Sequence, residues 1–397
     1  MKTAIRGMAW DHPRAMQPLA AISRQWSDRS GVAVHWDARP LKDFEDQPLE
    51  ELASRYDLLL IDYPFVEIAA TSGLIAPVDE WVDAAYLADQ AAHSVGPSYA
   101  SYTWAGKQWA LAVDAACQVG AVREDLWRTA GLGQLPHDWA RVAELAAATC
   151  NASSRVAIPL TANHAYCAFL SVGIGIAGTR FWRQGHGFDR TAAVDALDFL
   201  RRLVPDLHEL SPRSDPIAIS NRMSDSDEVL YVPLMFGYSS YARAGFRRQV
   251  LRFADAPRGP SGALGSVLGG VGIALSDRTS VRNDAVDLAR LIASAPIQSG
   301  LYASAGGQPG HLAAWTSAEV DALVGGFCTA TLETMRHAFL RPRRVGHREF
   351  QPRAGALIHD CICAAAMPPR DCLAELERLM TTLLPEWSRA GFASVGQ

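Results

Sequence analysis

The first third of the chain has the pattern of apolar and polar residues that is typical of alternating strands and helices. Residues 2–8 and 32–36 are predicted as short strands, and residues 58–61 are a continuous apolar run. Such a run indicates a parallel strand covered on both faces. Repeated strand–helix–strand units predict a parallel α/β sheet, whose ligands bind beyond the carboxyl ends of the strands. Those ends lie at residues 10–12 and 62–64.

Apolar residues at helical spacing predict the helices. Leu19, Ile22 and Trp26 share one face of a helix that begins at Pro13, since proline suits the first position of a helix. Glycine and proline crowd residues 257–272, which are predicted as a loop or crossover. Further helices are predicted near residues 48–56, 65–72, 192–204, 285–292 and 368–384.

Length and charge limit the classes of function. A chain of 397 residues is too long for a single hydrophobic core, so two lobes are expected. The net charge of −5 includes no long block of one sign, which argues against binding of nucleic acid. The longest weakly polar stretch, residues 168–178, is far shorter than the roughly 20 residues of a membrane span. We therefore expect no nucleic-acid partner and no membrane-spanning segment.

The seven cysteines are an odd number without the spacing of a disulfide framework, which predicts free thiols and a reducing compartment. Cys361 and Cys363 have the wrong spacing for a CxxC motif, and no second pair is present to hold zinc, so no cofactor and no metal are expected. Arg6 interrupts the apolar stretch that a signal peptide would need. This predicts a cytoplasmic protein, or a periplasmic or extracellular one if a leader has been removed.

Several sequence blocks occur in the order typical of one protein family. They are GKQWALAVDAACQVGAVREDLWRTAGL and its continuation GQLPHDWARVAELA, then VPLMFGYSSYA, LGGVGIAL and RPRRVGHREFQPRAGALIHDC. Together these blocks resemble the extracellular solute-binding proteins of carbohydrate-type ABC importers, relatives of the maltodextrin-binding protein. The chain looks like a divergent member of that family without a leader.

The resemblance implies a two-lobed α/β fold, the periplasmic-binding-protein-like fold of type II, with a ligand cleft between lobes that close by hinge motion. It places the first lobe at residues 1–113 and about 268–325 of this sequence, and the second at 114–267 and about 326–397. The hinge crossovers are expected near residues 111–114, 258–268 and 325.

The resemblance also implies which positions contact the ligand. Asp114 is then the acidic residue at the hinge edge that accepts hydrogen bonds from ligand hydroxyls. Phe236 and Tyr238 fall in an aromatic block, and Gly269 and Gly270 in a turn through which backbone N–H groups reach the ligand. Together with the strand ends, the candidate ligand-binding residues are Trp10, Asp11, His12, Arg14, Asp62, Tyr63, Asp114, Tyr166, Phe236, Tyr238, Gly269, Gly270 and Arg343.

Several of these candidates also have a purely structural interpretation. His12 acts as a general acid or base, or it caps the helix that follows. Asp11 and Arg14 bind a polar ligand, or they pair with each other. Trp10 and Tyr63 stack on a ligand ring, or they belong to the core, as aromatic residues at strand ends usually do.

One basic cluster and one polar segment are predicted in the second lobe. Residues 341–344 with Arg348 form a solvated loop or a clamp on an anion, and Arg341 and Arg343 match the Arg-Pro-Arg of the family. His164 lies in the segment Asn163-His164-Ala165-Tyr166, which is predicted as a polar segment of the second lobe.

Two functions are compatible with this pattern. The preferred one is binding of a small polar solute, sugar-like, anionic or ring-containing, by closure of the lobes, with an ABC permease as partner if the protein is exported. The other is a cytoplasmic enzyme on the same fold that acts on a small metabolite. Its candidate catalytic residues are His12, Asp62 and Asp114 for acid–base chemistry and Cys117 as a nucleophile, which would need a stabilised thiolate.

Overall fold

A computed structural model describes residues 4–39, 49–183, 187–343 and 345–384 of the chain. The prediction for Arg344 therefore lies outside the described residues. In the described residues, strands β1 to β13 are Ile5–Trp10, Val34–Arg39, Leu58–Asp62, Ile75–Ala76, Thr103–Trp104, Lys107–Gln108, Leu111–Val122, Arg155–Val156, Trp182–Arg183, Gly187–Phe188, Val229–Phe236, Arg252–Ala254 and Leu268–Ser276. Helices α1 to α17 are Pro13–Ser30, Leu49–Ala53, Val66–Thr71, Ala84–His93, Ser98–Ser101, Glu124–Thr129, Trp139–Thr149, Ala162–Ala177, Arg190–Leu203, Pro216–Asp225, Arg282–Ala293, Ala295–Ile297, Leu312–Trp315, Ala318–Leu323, Phe327–Arg336, His347–Ile362 and Pro369–Leu383.

The described residues form two units, and the chain passes from one to the other several times. Unit 1 contains those within Met1–Ala116, Tyr238–Arg243 and Leu268–Arg336. Unit 2 contains those within Cys117–Gly237, Ala244–Val267 and His337–Gln397. The first boundary falls inside β7. None of the helices in the described residues is long and apolar enough to cross a bilayer.

The sheet of unit 1 contains the strands β2, β1, β3 and β13 in that order, and β4 pairs with β13. β1 runs parallel to β2 and to β3, as predicted, whereas β13 runs antiparallel to β3. The apolar run in β3 is buried, and Leu19, Ile22 and Trp26 of α1 are buried as well. The mixed α/β class predicted from the sequence is therefore confirmed.

The sheet of unit 2 is built around the second half of β7, which pairs antiparallel with β11 and with β12, while β8 joins β11 in parallel. Helix α8 is buried along almost its whole length. The hydrophobic core around α8 includes residues of α9, α16 and α17, such as Leu197, Phe350 and Leu376. Polar side chains occur in the first turn of α8, at Asn163 and His164, and at the start of α16, at His347.

The loop predicted at residues 257–272 is shorter than expected, because β13 already begins at Leu268. Gly269 and Gly270 consequently lie in a strand and not in a turn. Gly270 has φ +110°, and a Cβ atom there would lie 2.3 Å from the carbonyl oxygen of Asp114. The close approach that requires glycine at this position is thus to the protein's own backbone.

Gly355 determines how closely two helices of unit 2 approach each other. A Cβ atom on Gly355, in α16, would lie 2.4 Å from the carbonyl oxygen of Ala162, the first residue of α8. A backbone oxygen cannot move aside as a flexible side chain would. The missing side chain therefore lets the first turn of α8 lie directly against α16.

We predict that Gly355→Ala lowers the free energy of unfolding by about 1–3 kcal/mol, although alanine favours helix by about 1 kcal/mol relative to glycine. The reason is the clash with the Ala162 carbonyl. Urea unfolding followed by circular dichroism measures the change. Gly133→Ala is the matched control, because a Cβ there meets no atom within 4 Å. A Gly355→Ala variant as stable as the control would contradict this account.

Candidate ligand-binding residues of each unit

The carboxyl ends of β1 and β3 lie at the same edge of the unit 1 sheet, since the two strands are parallel. β1 ends at Trp10, which is buried, and β3 ends at Asp62, which is half-buried. Asp11 is exposed. Tyr63 is completely buried, and its hydroxyl donates a hydrogen bond of 3.1 Å to the Leu268 carbonyl oxygen. The core interpretation of Tyr63 therefore describes its observed environment.

His12 caps helix α1, as one of its two sequence interpretations predicted. Its Nδ1 accepts a hydrogen bond of 3.1 Å from the backbone N–H of Arg14. Because Nδ1 is the acceptor, the proton of the neutral ring resides on Nε2. The ring also makes an edge contact with Tyr238, with 5.1 Å between the ring centroids. His12 is thus fixed on one side by the helix and on the other by an aromatic ring.

Arg14 and Asp114 form a buried, bidentate ion pair within unit 1. Arg14 Nε donates to Asp114 Oδ2 at 2.7 Å, and Arg14 Nη2 donates to Asp114 Oδ1. Less than one twentieth of either side chain is exposed. The guanidinium also lies 4.6 Å from the ring centroid of Tyr238, within the range of a cation–π interaction. Both carboxylate oxygens of Asp114 thus have a protein partner, and its role toward a ligand stays a prediction.

Two further residues lie near this ion pair and were not identified from the sequence. Burial raises the pKa of Tyr302 well above its ordinary value, and the negative charge of Asp114 adds to the effect, so the phenol stays protonated. Gln308 donates to the Ala115 carbonyl oxygen at 2.7 Å and accepts from the Ser239 backbone N–H at 2.8 Å. Neither residue belongs to a motif, and both lie far from Asp114 in the sequence.

Helices α8 and α16, with Arg341 from the segment before α16, contribute five polar side chains of unit 2. We call them the polar cluster: Asn163, His164, Arg341, His347 and Gln351. Gln351 Nε2 donates to Asn163 Oδ1. Gln351 Oε1 accepts from Arg341 Nη1 at 3.3 Å and lies 3.2 Å from His347 Nε2. His164 makes an edge contact with Phe236, the last residue of β11, at a ring-centroid distance of 6.0 Å.

Both imidazoles of the polar cluster are buried and neutral. Burial lowers the pKa of His164 from 6.5 to about 4, and Arg341 lowers it further while Asp215 opposes the shift. Burial and Arg341 together lower the pKa of His347 to about 3. Among the described residues, neither His164 Nδ1 nor His347 Nδ1 has a hydrogen-bond partner. A buried polar atom without a partner costs about 1–3 kcal/mol. Of these two residues, His164 is 8% exposed, whereas His347 is completely buried.

The remaining candidates of unit 2 have different environments. Tyr166 is completely buried and packs against Phe350 at 6.2 Å between ring centroids. Arg343 is half-buried. Burial raises the pKa of the Cys117 thiol to about 12, so the thiol is protonated at neutral pH and is a poor nucleophile.

A group of two histidines and an aspartate lies in unit 1, outside the residues predicted as a site. Asp89 and His93 are one turn apart on α4, with 2.8 Å between Asp89 Oδ1 and His93 Nδ1. His311 stacks on His93 at 5.7 Å between ring centroids. His311 Nδ1 accepts a hydrogen bond from the Ala313 backbone N–H, which puts the ring proton on Nε2. In this arrangement His311 caps α13 and presents an N–H group to its surroundings, which is not the form that coordinates a metal.

Comparison with solved structures identifies the fold. Maltose-bound MalE3 of T. maritima superposes with a TM-score of 0.83 at 17% sequence identity, covering 96% of this chain and 100% of that one. A solute-binding protein of an ABC transporter from Thermotoga lettingae, bound with α-D-tagatose, gives a TM-score of 0.82 at 16% identity, with coverage of 96% and 100%. UgpB of Mycobacterium tuberculosis, in complex with glycerophosphocholine, gives 0.80 at 14%, with coverage of 97% and 99%. No protein-family model and no curated sequence relative matches the chain. The chain thus has the fold of ABC solute-binding proteins, as the resemblance predicted.

We predict that Asp114→Asn lowers the free energy of unfolding by about 3–5 kcal/mol, because it leaves the Arg14 guanidinium buried without a counter-charge. Urea unfolding at neutral pH measures the loss. The control is Asp37→Asn, which breaks an exposed ion pair with Arg6 in the same unit and should cost less than about 1 kcal/mol. Equal losses in the two variants would show that the buried pair has no special weight.

The neutral histidines of the polar cluster predict a pH dependence of stability. Unfolded His164 binds a proton near pH 6.5, whereas the folded residue does so only near pH 4. The contribution of His164 to the free energy of unfolding is therefore fully present above pH 6.5. It falls as the pH drops toward 4, by up to about 1.4 kcal/mol per pH unit. His164→Gln should flatten the decline in urea midpoints between pH 7 and pH 5, and the exposed His137→Gln should not. Parallel curves for the wild type and His164→Gln would contradict a buried neutral His164.

Proposed function

We propose that this protein binds a small polar solute that carries hydroxyl or anionic groups. The observation that carries the proposal is the polar cluster of unit 2, whose two buried imidazole nitrogens lack a partner among the described residues. The fold supports the proposal, because its solved neighbours are described as bound to maltose, tagatose and glycerophosphocholine. A solute with hydrogen-bonding groups would satisfy the nitrogen of His164, which keeps some exposed surface, whereas His347 is completely buried.

The chemistry of the polar cluster suits such a ligand. A neutral imidazole whose Nδ1 lacks a partner accepts a hydrogen bond from a hydroxyl or donates one to an oxygen, depending on its tautomer. Arg341 supplies a fixed positive charge beside His164 and His347. Phe236 offers an apolar ring against which the C–H face of a sugar would pack. The roles of Trp10, Asp62 and Tyr238 of unit 1 as ligand contacts stay predictions.

Binding without chemistry is the form of the proposal. The nucleophile of the enzyme alternative, Cys117, is protonated at neutral pH because of its burial. His12 is engaged as a helix cap, and Asp114 is engaged by Arg14. An ABC permease as partner and closure of the lobes remain predictions from the resemblance.

The experiment is a thermal-shift screen of the full chain with maltose, maltotriose, tagatose, ribitol, glycerophosphocholine and a wider set of polar metabolites. A ligand that binds only the folded state stabilises it by about 2.7 kcal/mol at a concentration 100 times its Kd. We expect at least one solute to raise the melting temperature in a saturable way. Mass spectrometry of the incubated solute should recover it unchanged.

The contact of the solute with Phe236, which packs against His164 of the polar cluster, is tested with two matched variants. Phe236→Ala should weaken the affinity for the solute from the screen, measured by calorimetry, by about tenfold or more. Phe246→Ala, which removes another half-buried ring of unit 2 far from this cluster in sequence, should leave the affinity unchanged. Equal affinities in both variants, or conversion of the solute to a product, would refute the proposal in this form.

A further inference from the structure

Two of the seven cysteines belong to the same hydrophobic core cluster of unit 2, on two helices that pack against each other. Cys361 is in the last turn of α16 and Cys372 is in the first turn of α17, and neither is exposed to solvent. Each thiol changes the pKa of the other, lowering that of Cys361 and raising that of Cys372. Cys372 Sγ also lies 3.6 Å from the carbonyl oxygen of Leu357, one helical turn before Cys361. This contact places the Cys372 sulfur beside the turn of α16 that carries Cys361.

We propose that Cys361 and Cys372 are a redox modification site, which forms a disulfide between α16 and α17 when the protein meets a small-molecule disulfide. An S–S bond of about 2.05 Å needs two cysteines on neighbouring backbone segments, and the packing of Cys372 against the Leu357 turn of α16 supplies that arrangement. The two residues are close in sequence, at the ends of consecutive helices, so the bond closes a short loop. The proposal is independent of the proposed binding function.

The reaction is a thiol–disulfide exchange in two steps. The Cys361 thiolate attacks one sulfur of the small disulfide, which forms a mixed disulfide and releases one small thiolate. Cys372 then loses its proton to solvent and attacks the Cys361 sulfur, which forms the protein disulfide and releases the second small thiolate. The protein loses two electrons and two protons, and the small disulfide takes them up as two thiols.

The local environment suits Cys361 as the first nucleophile. The hydrogen bond from the Cys372 thiol lowers the pKa of Cys361, and Arg201 adds to this effect. Burial raises the pKa of the neighbouring Cys363 to about 12, so the cysteine nearest in sequence is less reactive. Because both sulfurs are buried, the exchange depends on transient opening of α17, the last helix in the part of the chain that the structure describes.

The experiment treats the folded, full-length chain with hydroxyethyl disulfide at pH 8, then blocks the remaining thiols in denaturant and digests with trypsin without reduction. Cleavage after Arg353, Arg370 and Arg378 gives peptides 354–370 and 371–378, which contain Cys361 and Cys372 respectively. We expect these two peptides to be joined, and the joined species to disappear after reduction. Separate, unlinked peptides after treatment would overturn the proposal.

Cys363 is the necessary control, because it lies in the same tryptic peptide as Cys361. Cys363→Ser should leave the joined species unchanged, whereas Cys361→Ser should abolish it. Fragment-ion spectra of the wild-type joined species locate the bond even if a variant does not fold, and a bond at Cys363 would refute the assignment. The oxidised protein should melt roughly 5 °C higher than the reduced protein. A lower melting temperature would mean that the bond forms only by distorting the helices and would likewise overturn the proposal.

Discussion

The Arg14–Asp114 ion pair is the interaction on which the arrangement of unit 1 depends most. It joins the first turn of α1 to β7, two elements separated by 100 residues. Tyr238 covers the guanidinium, and Gly270 approaches the Asp114 carbonyl so closely that no side chain fits. A buried ion pair pays for its desolvation only with good geometry and additional partners, and the bidentate contact meets that requirement. Removing either charge would leave the other one buried and uncompensated.

A different constraint organises unit 2. Gly355 lets α8 and α16 approach at the Ala162 carbonyl, and this brings the polar first turns of two helices together. Burial in this environment disfavours the charged form of an imidazole, and Arg341 lowers the pKa of both histidines as well. His164 and His347 therefore stay neutral. Because the two imidazoles are neutral, they add no positive charge that would repel Arg341. Their nitrogens can form hydrogen bonds with uncharged hydroxyls. This is why a polar solute is a more suitable ligand than a cation.

The sequence predicted the fold better than the environments of its site residues. The apolar run of β3 and the stripe of α1 have strong periodicity, and both appear as predicted, with the parallel pairing of β1 and β3. The prediction of a turn at Gly269 was wrong, since Gly269 lies in a strand. A pair of glycines is equally compatible with a turn and with a close backbone approach within a strand. The partnership of Arg14 with Asp114 had no local signal, since it depends on which strands become neighbours. His347 and Gln351 have the spacing of adjacent residues on a helix, but their partner Asn163 is remote in the sequence.

The central claim is that a bound solute forms a hydrogen bond with His164 Nδ1. Nitrogen NMR of the imidazole side chains tests it most directly, with the solute that the screen selects added to saturation. The account predicts that the His164 Nδ1 resonance shifts on binding, whereas the nitrogens of the exposed His137 keep their positions. A His164 resonance that stays unchanged at saturation would contradict the claim, because the solute would then bind without using this nitrogen.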